Sequence, residues 1–278
     1  MESQRIVVKV GTSTLLRPGG GINLRRMDGL TRVLSDLKNM GNEVILVSSG
    51  AIGIGTGKLG MKERPSELRR KQAAAAVGQC EMMHLYDKFF GEYGQTVAQI
   101  LLTDEDVDDA VRAEHLSGTF TALLELGCIP VVNENDSVSS SEIETGQKKV
   151  LGDNDTLSAI VAGLCGADLL VLLSDIDGLY DADPHQNPGA KLIHRVEVIT
   201  PEIEGLAGGG GTQWGTGGMY TKLTAARRAM ARGIDMVIAN SDRLDALYDI
   251  AEGKDVGTRF VGERSPERNA GTRFHTVL

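Results

Sequence analysis

Aromatic side chains are scarce in this chain, at 4% of 278 residues with a single tryptophan. Any core must therefore be packed from Val, Ile, Leu, Ala and Met. Proline is sparse too, at 7 residues, and glycine follows no Gly-X-Y period. Collagen and proline-rich disorder are excluded. There is no basic excess: 29 Lys and Arg stand against 38 Asp and Glu, for a net charge of −9. That balance argues against nonspecific nucleic-acid binding and against a basic membrane-surface protein. It leaves room for a phosphorylated small molecule, which a few local lysines suffice to hold. No apolar run approaches the roughly 18 residues of a membrane span. Met1-Glu2-Ser3-Gln4-Arg5 leads straight into a strand-like stretch, with no signal peptide. The cysteines, Cys80, Cys128 and Cys165, are scattered in apolar runs without CxxC or Cys/His spacing. Neither a disulfide framework nor a zinc site is indicated, and they read as buried, reduced thiols of a cytoplasmic protein. His84, His115, His185, His194 and His275 show no metal or triad spacing; they read as structural or surface residues.

What the chain does have is glycine, 35 residues of 278, against an ordinary usage of roughly 7%. Hydrophobic residues at 41% and charged residues at 24% suit a soluble, well-packed core. Short β-branched runs alternate with helix-length segments. Strands are expected at 6–10, 43–47, 96–102, 129–132, 169–173 and 236–239. Helices are expected from an Asn23 cap to a stop at Gly41, then at 67–90, 110–126, 156–164, 220–231 and 244–251. This alternation predicts an α/β fold, a three-layer αβα sandwich with a mostly parallel open sheet. No clean linker precedes residue 262. One domain is expected over 1–262, with a short polar tail at 263–278 and a sheet complete by about residue 240. The repeated tetrapeptide Gly-Thr-Arg-Phe (257–260 and 271–274) is too short to carry weight.

In such sheets the ligand lies outside the carboxyl ends of the strands, and there the polar residues cluster: Lys9 to Thr12, Ser48 to Gly50, Asn135-Asp136 and Ser174-Asp175. Lys9 sits in the apolar run 6–11, where an unpaired buried lysine is costly. It is either an edge-strand lysine facing solvent or a strand-end cation aimed at phosphate. The glycine stretches 208–211 and 215–218 precede a helix that carries Lys222 just inside it. They are either a flexible surface loop or an anion cradle of backbone N–H groups. GxxxxGK[ST] is absent, and no GxGxxG follows the first strand. Asp153, Asn154 and Asp155 either cap the following helix or supply Asp155 as a carboxylate bracing Lys9 and Lys222. The acidic run Asp104-Glu105-Asp106, with Asp108 and Asp109, reads as a solvated helix start.

Together, the stretches 9–14, 47–52, 72–79, 133–136, 152–155 and 215–222 resemble the amino-acid kinase family, in its branch acting on the side-chain carboxylate of glutamate. The resemblance runs from residue 5 to about 262 in the family's order. Aspartokinases would show Lys-Phe-Gly-Gly-Thr-Ser at the first strand, and acetylglutamate kinases a Gly-Gly pair; both are absent. Many members carry a further C-terminal RNA-binding-like (PUA) domain, for which the chain leaves no room. Ile238-Ala239-Asn240-Ser241 replaces the glycine usual after Ile-Ala, a change expected to touch how the nucleotide base is held.

The resemblance implies transfer of a phosphoryl group from ATP to L-glutamate, giving L-glutamyl 5-phosphate, the first step of proline synthesis. It assigns catalysis to Lys9, Asp155 and Lys222, with Asp155 orienting both lysines. It assigns glutamate to Ser49, Gly50, Asp136 and Asn154. It assigns ATP to Lys9, Gly11, Ser174, Asp175 and the segment Thr216, Gly217, Gly218, Met219, Tyr220, Thr221 and Lys222. Mg2+ would arrive with ATP, with no protein ligand assigned. Also implied are self-association into a homo-oligomer, feedback inhibition by proline, sought in a mobile loop at 137–150, and delivery of product to glutamyl-phosphate reductase. No nucleic-acid or membrane partner is expected. Two rivals are a non-catalytic amino-acid sensor of the same fold and a family kinase acting on another carboxylate. Retention of Lys9, Asp155 and Lys222 together argues against the sensor.

Overall fold

The computed structural model describes residues 3–17, 21–139, 153–184, 186–207 and 218–263. Eight strands form one sheet: β1 (Arg5–Val10), β2 (Glu43–Ser48), β3 (Val97–Leu102), β4 (Ile129–Glu134), β5 (Leu169–Ser174), β6 (Arg195–Val196), β7 (Asp235–Asn240) and β8 (Thr258–Phe260), in the order β3-β4-β2-β1-β5-β7-β8-β6. All neighbours are parallel except β7 and β8, which pair antiparallel. The helices are α1 (Thr12–Leu15), α2 (Leu24–Asn39), α3 (Ala51–Lys58), α4 (Leu68–Glu92), α5 (Asp104–Asp108), α6 (Ala110–Glu125), α7 (Asn154–Leu164), α8 (Pro201–Leu206), α9 (Met219–Met230) and α10 (Ala246–Ala251).

The inner strands read as continuous apolar runs because both faces are covered. Successive side chains point to opposite faces. Ile6, Val8 and Val10 pack with Leu30 and Leu34 of α2, Tyr86 and Phe90 of α4, and Leu247 of α10. Val7 packs on the other face with Phe120 of α6, Leu157 of α7 and Ala225 of α9. Lys9 shares the parity of Val7, so it faces α7 and α9. The three layers expected from the sequence are present. Asn23 caps α2, its side chain accepting from Arg26 N, and Gly41 follows that helix at φ +96°.

The expected close of the sheet near residue 240 is wrong. β8 adds antiparallel to β7, and the two-residue β6 adds beyond it. Both are too short for periodicity to show, and they exist because the edge of β7 offers unpaired backbone groups. The sequence reading also missed α3, Ala51-Ile52-Gly53-Ile54-Gly55-Thr56-Gly57-Lys58, whose three glycines disfavour a helix. Tertiary packing overrides that propensity. A Cβ on Gly55 would meet the Ala74 carbonyl oxygen at 1.8 Å, and one on Gly78 the Ala51 oxygen at 1.8 Å. α3 and α4 therefore touch backbone to backbone, which only glycine permits at those two positions.

The cysteines need a correction as well. Only Cys165 is buried, its thiol pushed up to about 12 chiefly by burial. Cys80 is exposed and Cys128 intermediate, because neither points into one of the two cores. No helix among the described residues is long and apolar enough to cross a membrane.

Candidate active site

The chain fills the sheet on one side of β1 with β2, β3 and β4, then crosses from β4 to β5 on the other side. β1 therefore stands where the strand order reverses, the place where open α/β sheets bind ligands. Lys9 lies near its carboxyl end. The Lys9 side chain is 12% exposed, so the solvent-facing alternative fails. Its Nζ is 2.6 Å from Asp155 Oδ1, an ion pair whose angles fall short of a directed hydrogen bond. Lys222 Nζ donates to Asp155 Oδ2 at 3.2 Å, and Thr221 Oγ1 donates to the same oxygen at 3.0 Å. Asp155 and Lys222 are both buried. Burial of the Asp155 carboxyl works to raise its pKa, but the charges of Lys9 and then Lys222 outweigh it, leaving a net shift downward. Among the described residues, two cations share this one anion.

Local sequence explains the placement. Asp153 caps α7, accepting from the backbone N–H groups of Asp155 at 2.8 Å and Thr156 at 2.9 Å. The cap is thus Asp153, which frees Asp155 in the first turn to face β1. α9 follows Gly218, which makes no side-chain cap hydrogen bond, and the first-turn N–H groups of a helix suit an anion. Gly11 caps α1 in an extended conformation, and a Cβ there would sit 3.7 Å from Lys9 Nζ. A longer side chain at that position would cover the ammonium.

Beside this bracket lies a recess of about 170 Å³. Ser49, Gly50, Asp136 and Asn154 all line it, as do Thr12, Arg64 and Glu134. It suits a small metabolite, being below the roughly 300 Å³ at which drug-sized pockets begin. Gly50 holds φ +103° as it caps α3, a backbone state costly for any residue with a Cβ. Ser49 Oγ donates to the Val10 carbonyl at 2.9 Å. Asn154 Nδ2 reaches the Ser48 carbonyl and Asn133 Oδ1, each at 3.5 Å, and Asn133 Nδ2 donates to Gln79 Oε1 at 3.0 Å.

On the other side of β1, Ser174 Oγ donates to Asp175 Oδ1 at 3.0 Å just past β5. Asp175 lines a second hollow, of about 230 Å³, with Ser13, Asn23, Arg26, Ser241 and Asp242. Asn240, where the family pattern has glycine, donates to Asp177 Oδ1 at 2.8 Å and accepts from Asp242 N at 2.8 Å. Gly218 to Lys222 begin α9, with Tyr220 exposed and Lys222 buried. Thr216, Gly217 and the glycine run at 208–211 lie outside the described residues, as do 140–150 of the expected loop and residues 264–278 of the tail. The acidic run is a helix start: Thr103 and Asp106 form a capping box on α5. Among the described residues, no group of three or more His, Cys, Asp or Glu could hold a metal ion. His84, His115 and His194 do not line the recess.

Residues 4–240 match the amino acid kinase family. The chain belongs to that family. Similar sequences include a glutamate 5-kinase of Clostridium perfringens, 54% identical over 263 residues, covering 95% of this chain and 97% of the relative. A glutamate 5-kinase of Listeria innocua is 51% identical, covering 97% of both chains. Among solved structures, carbamate kinase from Giardia lamblia bound to AMP-PNP aligns over 94% of this chain and 99% of its own, with a TM-score of 0.66 at 14% identity. The isopentenyl phosphate kinase of T. acidophilum aligns over 92% and 99%, with a TM-score of 0.58 at 16% identity. These structures establish the amino-acid kinase fold and nothing finer.

Sequence reasoning did not single out Arg64, Glu134 or Thr12 as recess residues. Glu134 and Thr12 lie inside motifs it quoted. Arg64 follows no periodic or glycine-rich signal, and only the folded loop between α3 and α4 brings it to the recess.

Proposed function

We propose that the protein transfers the γ-phosphoryl group of ATP to the side-chain carboxylate of L-glutamate, releasing ADP and L-glutamyl 5-phosphate. The observation that carries this reading is the Lys9–Asp155–Lys222 bracket beside a recess lined by Ser49, Asp136 and Asn154. Similarity at 54% identity to a glutamate 5-kinase over nearly the whole chain supports the choice of substrate.

The chemistry suits these residues. A glutamate side chain has an ordinary pKa of about 4.3 and is already ionised at neutral pH. No general base is required, and no described histidine is needed near the recess. The difficulty is bringing one anion against another: two unit charges 4 Å apart interact by about 4 kcal/mol at an effective dielectric of 20. Lys9 and Lys222 offset that repulsion. Asp155 holds both ammonium groups in place before substrate arrives, so little reorganisation remains for the reaction itself. The first-turn N–H groups of α9 and the Lys9 ammonium beside Gly11 fit a phosphate group. Asp136 receives the substrate ammonium, with Asn154 adding hydrogen bonds, and Ser49 borders the same space. Mg2+ bound with the nucleotide would supply charge neutralisation on its phosphates, and no residue of the chain is assigned as its ligand. Residues 1–262 form the catalytic domain in this reading. Proline inhibition, self-association and delivery of product to a reductase belong to the same proposal.

A coupled ADP-release assay with L-glutamate, L-aspartate and N-acetylglutamate tests it. Glutamate alone is expected to support rapid release. Turnover of N-acetylglutamate at a comparable rate would refute the assignment of Asp136 and the choice of substrate.

A further inference from the structure

We propose that Arg64 receives the α-carboxylate of the substrate and thereby selects an α-amino acid over an acid that carries only the amine. This rests on the proposed function and deepens it. Glutamate brings three charges to the site. The side-chain carboxylate must approach Lys9 and Lys222, and the ammonium is matched by Asp136. The α-carboxylate then enters a recess whose other charged described residues are Glu134 and Asp136, both of the same sign as itself. Taking a carboxylate out of water into such a recess calls for a cation. Arg64 is the one cationic residue among the described residues lining that recess.

Its surroundings leave the guanidinium available. Among the described residues, Arg64 takes part in no ion pair or hydrogen bond, and nearby Glu67 is engaged by Arg69 and Arg70 instead. Pro65 restricts the backbone of Arg64 to extended conformations. The loop carrying both is strung between α3 and α4, whose glycine-to-glycine contact fixes their spacing. An exposed arginine is thereby held at the mouth of the recess. Its planar fork matches a carboxylate in two parallel hydrogen bonds, which lysine cannot reproduce.

The test compares L-glutamate with 4-aminobutanoate, which keeps the ammonium and the reacting carboxylate but lacks the α-carboxylate. Both are assayed on the full-length wild type, Arg64→Ala and Arg64→Lys. Where 4-aminobutanoate turns over too slowly, its competitive inhibition constant replaces kcat/KM. In Arg64→Ala, kcat/KM for glutamate is expected to fall about 30-fold, the scale of a lost hydrogen-bonded charge, through KM. The 4-aminobutanoate value should stay within about twofold and the ATP KM unmoved, with Arg64→Lys recovering part of the loss. A glutamate to 4-aminobutanoate ratio at its wild-type value in Arg64→Ala would overturn the proposal, whether both values fell together or neither changed; the amides at the start of α3 would then be the carboxylate's partner. The wild-type arm separates the two readings. Absence of glutamate-dependent ADP release there overturns the function and this role together, whereas release with an unchanged ratio overturns the role alone.

Discussion

Replacing Asp155 with asparagine keeps the size of the side chain and removes its charge. In the native site that charge faces Lys9 Nζ at 2.6 Å and Lys222 Nζ at 3.2 Å, with the carboxylate side chain 4% exposed. Removing one member of a buried ionic group typically costs about 3–5 kcal/mol, because the partners left behind stay desolvated. At roughly 2–4 °C per kcal/mol for a chain of this size, the melting temperature should fall by roughly 6–20 °C at neutral pH. The pH dependence has a definite sign. The Asp155 pKa is lowered in the folded state, so its contribution is full above the ordinary carboxylate value of about 3.9 and disappears as pH falls through the folded value. The gap between wild type and Asp155→Asn should therefore be widest near neutrality and narrow below about pH 4. Kinetically, the two ammonium groups lose the carboxylate that positions them. The loss in kcat should match that of a missing electrostatic donor, about 10²–10³-fold. Scanning calorimetry across pH, paired with steady-state kinetics on the folded fraction, reads both effects. A variant retaining more than about a tenth of wild-type kcat, under roughly 1.4 kcal/mol of barrier, would refute the bracket as catalytic machinery. A melting gap that stayed constant to pH 3 would refute the electrostatic account of its stability.

Lys222→Ala should lower kcat by about 10²–10³-fold while glutamate KM moves little, as measured by steady-state kinetics; a kcat within tenfold of wild type would contradict its role. Asp136→Ala should raise the glutamate KM strongly and leave the ATP KM nearly fixed, since the ammonium lies away from the transferred group; equal changes in both would show that Asp136 only shapes the turn after β4. Gly78→Ala should destabilise by about 3 kcal/mol or more, because its Cβ would meet backbone rather than a flexible side chain; an unchanged melting temperature would show that α3 and α4 can separate freely. Deleting residues 265–278 should leave kcat within about twofold, because Glu263 N already ties the chain to the Met230 carbonyl at 2.9 Å and every site residue precedes it; loss of folding would show that the tail packs as structure.

Much of this protein was determined by sequence alone because the information is local. Alternating apolar runs and helical stretches dictate the layered α/β fold, since each element has to bury its own apolar face. The parity of β1 puts Lys9 on the side of Val7 and not of Val8, and the polar run 153–155 marks the start of the helix that follows it. Tertiary structure decided what depends on residues distant in the chain. Propensity speaks against α3, and it forms only because Gly55 and Gly78 let its backbone rest on that of α4. β6 and β8 are too short to announce themselves and exist because β7 presents a free edge. Which reading of Lys9 holds, solvent-facing or buried and paired, turned on Asp155, 146 residues away in the chain and 2.6 Å away in space. Arg64 lies in no motif. It reaches the recess only because the loop between α3 and α4 delivers it there, and no pattern within one segment of chain encodes a meeting of that kind.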